Sequence, residues 1–175
     1  MEDIRREEIN YQQRFWVELI ELKAHIYYLE SFYLQAVRIE TALETFLAVV
    51  SNASIAGWVI WSKAQFLWAS IIAFSHLISA IRPQLPFQKR VRNLEPLINE
   101  LRDLSLCAEE RWYEVSEGLL TDQEINKLTL EIQSRKQKVS NLYLSSIPLP
   151  INSKYLSEAG QLTQVYFQKR YPGEN

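Results

Sequence analysis

Glu109 and Glu110 stand side by side, and paired carboxylates are a common starting point for general acid–base chemistry. On a helix, however, neighbours point about 100° apart, so these two cannot work on one proton. His25 and His76 are the only histidines, far apart and without a Cys or His partner at zinc-site spacing. Cys107 is the single cysteine, which forbids an intrachain disulfide. Its place on or near an apolar helical face reads as a buried structural thiol, not a nucleophile. Four isolated glycines cannot build a phosphate-cradling loop. The sequence thus offers no catalytic, cofactor or metal site, and the expectation is a protein that is not an enzyme. Cations remain: Arg135, Lys136 and Lys138 in one cluster, Lys169 and Arg170 in another. Interspersed acids make a solvated helix face the default reading. Convergence of these five would instead make a contact site for an anionic ligand such as a nucleotide signal.

Helices must position these side chains. At 175 residues the chain is long enough for one domain with an appended arm, and its net charge of −2 gives no reason to expect duplex nucleic acid as a partner. Five helical segments are predicted. The first runs from about Asp3 into an uncharged stretch. Its Phe15, Leu19, Leu22, Ile26, Leu29 and Tyr33 alternate steps of four and three, the seam of a coiled coil. A second apolar line, Trp16, Ile20, Tyr27 and Leu34, widens that face toward several helices, within the chain or between copies. The second segment is a second uncharged stretch, which Pro83 and Pro86 end.

The third reaches about Glu117 with Leu94, Leu97, Ile98, Leu101, Leu104, Ala108, Trp112 and Val115 on one face, and Gly118 suits its end. "TDQE" (121–124) matches a capping box and starts the fourth, which runs to about Tyr143. "SSIPLP" (145–150) forbids helix, and Asn152 or Ser153 caps a fifth ending near Arg170. No strand-like alternation appears, so the chain is all-α.

The uncharged stretches, 45–62 and 64–81, flank one lysine in "WVIWSKAQFLW" (58–68). Eighteen helical residues rise about 27 Å, close to the roughly 30 Å of bilayer hydrocarbon. Trp58, Trp61 and Trp68 gather near the turn, where indole rings favour a membrane interface, and Lys63 sits at the tip. Arg82, Lys89, Arg90 and Arg92 follow with no acid among them, which marks the inner leaflet. The expectation is a two-helix transmembrane hairpin with both termini cytoplasmic. Polar residues Ser51, Asn52, Ser54, Ser75, His76 and Ser79 are candidate pore-lining residues if several hairpins surround an axis. The domains are then 1–44, an amphipathic coiled-coil-like helix; 45–81, the hairpin; and 82–175, a helical cytosolic region. The alternative is a soluble helical oligomerisation or interaction module with the apolar hairpin as its core.

"ERWYEVSEGLLTDQEINKLTLEI" (110–132) and "YLSEAGQLTQVYFQKRY" (155–171) complete a layout that resembles the SLATT-type two-transmembrane effectors of bacterial anti-phage conflict systems. The resemblance implies a homo-oligomeric, pore-forming effector in the bacterial inner membrane. It also implies control by a nucleotide or oligonucleotide signal from a partner nucleotidyltransferase, with the lipid bilayer as a further partner. It carries over no catalytic residue.

Overall fold

The computed structural model describes residues 10–60, 65–81, 87–144 and 149–173. Among the described residues the regular elements are five helices and no strand: α1 (Tyr11–Ile60), α2 (Gln65–Ile81), α3 (Phe87–Ser116), α4 (Asp122–Leu144) and α5 (Ser153–Arg170). The protein is all-α. The predicted start near Asp3, the tip at Lys63 and the break at Pro83 and Pro86 lie outside the described residues. The chain divides into two compact units, Met1–Phe32 with Asn93–Asn175, and Tyr33–Arg92. Helices α1 and α3 contribute to both.

The first unit is a bundle built on the predicted seam. Phe15, Leu19, Leu22, Ile26 and Leu29 of α1 are at most 2% exposed, and the whole predicted α3 face from Leu94 to Val115 is buried with them. Burying each such side chain is worth about 1.5–3 kcal/mol, so this pairing dominates the unit. Past Leu29 the seam passes to Phe32 and Ala36, not Tyr33. Helix α1 runs antiparallel to α3, since Gln12 donates to the Val115 carbonyl at 3.0 Å while Arg102 meets Glu30 at 2.8 Å. Helix α4 lies alongside both: Arg14 donates to Asn126 at 3.0 Å, and Asn93 donates to the Tyr143 carbonyl at 3.3 Å. Directions therefore alternate through α1, α3, α4 and α5, the up-down-up-down order of a four-helix bundle.

The α1–α5 contact follows four-residue ridges. Trp16, Ile20, Ala24, Tyr28 and Phe32 on α1 run against Tyr155, Ala159, Thr163 and Phe167 on α5. Aromatic pairs close both ends, Trp16 with Phe167 at 5.0 Å and Phe32 with Tyr155 at 6.4 Å. Small residues, Ala24 and Ala159, occupy the middle.

Local signals set the helix ends as the sequence suggests. Gly118 takes φ 67°, its N–H reaches the Val115 carbonyl at 3.2 Å, and Leu119 N–H reaches Glu114 at 3.0 Å; this is a Schellman motif. Thr121 N–H donates to Glu124 at 2.8 Å, while Glu124 N–H reaches the Thr121 hydroxyl at 3.4 Å, which completes the capping box. The Thr121 N–H and the Thr121 hydroxyl, which donates to the same carboxylate oxygen at 2.7 Å, hold the Glu124 carboxyl below its ordinary value. Asn152 caps α5 by accepting from Lys154 N–H at 3.0 Å. Helix α3 also carries an interior proline, Pro96.

The second unit corrects the membrane expectation. Among the described residues no helix is long and apolar enough to cross a membrane. The stretch 64–81 yields a helix of 17 residues, about 26 Å against roughly 30 Å of hydrocarbon. The first stretch is no separate span but the far end of the 50-residue α1. The transmembrane hairpin, the pore-forming anti-phage activity and the inner-membrane location with cytoplasmic termini are overturned together.

Candidate functional site

Two buried carboxylates organise the first unit. Glu109, on the α3 face, is 9% exposed. Its Oε1 takes Lys23 Nζ of α1 at 2.8 Å, and its Oε2 takes the Tyr166 hydroxyl of α5 at 2.7 Å. Ser105, one turn earlier on α3, adds its hydroxyl at 3.4 Å, and Arg170 of α5 comes to 3.7 Å. Lys23 also lies 4.0 Å over the Tyr166 ring, a cation–π contact strengthened by partial burial. Burial and the bond to Glu109 push the Tyr166 phenol well above its ordinary value, so it donates and does not ionise. One carboxylate therefore ties together three helices. Glu110 points outward and is exposed, as the helical angle between neighbours requires.

Glu18 of α1 is the second hub, 4% exposed. It accepts from Gln133 of α4 at 2.8 Å and pairs with Lys136. Burial, with Lys136 nearby, lowers the His25 pKa and keeps the ring neutral near pH 7. Each acid has a cationic partner that offsets the cost of burying charge. None is presented to a cavity with a second free acid or a nucleophile. Among the described residues no group of three or more His, Cys, Asp or Glu is placed to hold a metal ion.

Grooves open among the described residues of this unit. One, about 280 Å³, follows the α1–α5 crossing between Trp16, Ile20, Ala24, Gly160, Gln164 and Gln168. Another, about 240 Å³, lies between α1 and α3, and its cations Lys23 and Arg102 are already committed to Glu109 and Glu30.

Of the five cations considered for an anionic ligand, Lys136 serves Glu18 and Arg170 approaches Glu109. Arg135, Lys138 and Lys169 are exposed. Cys107 is exposed, which corrects its reading as a buried thiol: the position falls just off the face that holds Leu104 and Ala108.

In the second unit, Ser75 is 8% exposed and donates back to the Ile72 carbonyl at 2.8 Å, while His76 and Ser79 are exposed. Ser51, Asn52, Ser54 and Trp58 lie on α1, Trp68 on α2, and Lys89 and Arg90 on α3; their side chains are outside the described residues. Trp61, Lys63 and Arg82 lie outside them altogether, and Arg92 is exposed. Helix α2 is turned against expectation. It buries Ser75 and leaves Phe66 88%, Phe74 57% and Leu77 54% exposed, with Ala69, Ala73 and Ala80 exposed beside them.

No protein-family model, no curated protein and no solved structure matches this chain.

Proposed function

We propose that the protein is a non-catalytic helical oligomerisation module, with the apolar helices of the Tyr33–Arg92 unit at the centre of the assembly. The observation that carries this reading is the outward face of α2. Phe66, Phe74 and Leu77 are uncovered while a serine is buried, and contiguous exposed apolar surface of this kind marks an interaction site. On α1 the same unit leaves Leu34, Phe46 and Val49 more than a third exposed. The occupant is a second copy of the chain. Residues 64–81 carry no charge, so the face has nothing to match with a charged partner. It can also meet itself without like-charge repulsion, as a closed symmetric contact requires.

The experiment is light scattering behind size exclusion on the full chain, compared with a Phe74→Asp/Leu77→Asp variant. The natural chain runs above monomer mass, and the variant loses subunits while keeping its helical circular dichroism. An unchanged mass in the variant, or a monomeric natural chain, refutes the reading.

A further inference from the structure

Helix α5 has a second stripe besides the one it buries. Glu158, Leu162, Val165 and Lys169 are spaced four, three and four residues apart, which places them along one side of a helix. Leu162 is 44% and Val165 48% exposed, and Glu158 and Lys169 are exposed at either end. Among the described residues neither end charge has an ion-pair partner.

The stripe borders α3. Tyr166 and Arg170 face α3 through Glu109, and Leu162 lies one turn before Tyr166. On α3, Leu106 and Tyr113 stand three residues before and four after Glu109, on its side of the helix. They are 61% and 65% exposed. On α5 an apolar strip with an acid at one end and a base at the other is left open.

We propose that this strip is a self-complementary dimer contact, in which two copies pair their α5 helices antiparallel about a two-fold axis. The register follows from the spacing. With Leu162 of each copy opposite Val165 of the other, Glu158 of each copy falls opposite Lys169 of the other. The apolar pair is thus closed at both ends by opposite charges. A parallel pairing would set Glu158 against Glu158 and Lys169 against Lys169, so the charges select orientation as well as partner. The strip is short, about 16 Å along α5, so the pairing is weak and concentration-dependent. It goes beyond the assembly reading above, because it uses the other unit and does not require the α2 face.

The test is sedimentation equilibrium on the full chain, both natural and carrying Phe74→Asp/Leu77→Asp, with Glu158→Lys and Lys169→Glu introduced singly and together. All four positions are exposed, and circular dichroism checks the fold. Each single reversal sets like charges against each other at both ends and weakens self-association about tenfold. The double reversal restores it, as does mixing the two single variants, whose charges are again opposite at both ends. Singles that associate as the parent does, or a double and a mixture that stay as weak as the singles, overturn the proposal. So does a parent with no self-association left once the α2 face is made polar. Failure of the α2 reading shows separately, as a mass unaffected by Phe74→Asp/Leu77→Asp.

Discussion

The two units handle similar residues in opposite ways. In the bundle the seam leucines turn inward and the buried acids are met within the unit: Leu22, Leu97 and Leu101 reach zero exposure, and Glu18 and Glu109 are buried with cationic partners. In the Tyr33–Arg92 unit a serine is inside and phenylalanines are outside. The bundle has four helical segments with which to enclose a leucine core, and the smaller unit has too few. A chain that can close its own core gains stability from it. A chain that cannot must borrow a surface, and that need is the physical basis for assigning assembly to the second unit.

Three measurements would break or sharpen this contrast. The largest effect is expected at Glu109. Replacing it with Ala strands the Lys23 ammonium, itself 13% exposed, and costs about 4 kcal/mol in chemical denaturation. Replacing Lys23, Glu109 and Tyr166 together with Met, Leu and Phe costs less than the single change, because no buried charge is then left unpaired. A triple variant weaker than Glu109→Ala would show that the network, not its apolar surroundings, holds the three helices.

Next comes a matched pair of truncations. Leu101→Ala in the bundle costs about 3 kcal/mol, whereas Phe74→Ala, at a side chain 57% exposed, costs under about 0.5 kcal/mol at concentrations where the chain is monomeric. Equal losses at the two sites would erase the distinction between closed and open units.

The smallest effect concerns acid. The folded-state pKa of His25 lies below its ordinary 6.5 because burial and Lys136 disfavour the charged ring. The unfolded chain therefore takes up the proton first, and stability falls as pH drops through about 6.5 toward the folded value. His25→Gln should flatten that part of a stability–pH curve, and the slope of the Phe74→Ala variant should stay as in the parent. An unaltered slope in His25→Gln would place the titration elsewhere.

Much of the bundle was legible in the sequence. The four-and-three seam of α1, the α3 face from Leu94 to Val115, Gly118, the TDQE box and a cap at Asn152 or Ser153 are local patterns, and local patterns are what periodicity reports. Which helices meet was not legible. Nothing in the spacing of Lys23, Glu109 and Tyr166 joins them, because 86 and 57 residues separate Glu109 from its two partners. Helical geometry turns Glu109 and Glu110 apart, but their spacing does not say which of the two points inward. The membrane reading erred where composition stood in for geometry. Two uncharged stretches of equal length looked like matched spans, but one is the tail of a helix that begins in the bundle and the other is too short. The exposed apolar face of α2 has the same composition a span would have, and composition alone does not tell lipid from a neighbouring copy.

Pro96 sits ten residues into α3 and brings no N–H to the carbonyl of Arg92, so one rung of that ladder is missing. The gap falls beside the boundary between Arg92 and Asn93 where the two units part. Amide deuteration should therefore advance in two steps along α3, quickly up to the proline and slowly through the leucines beyond it.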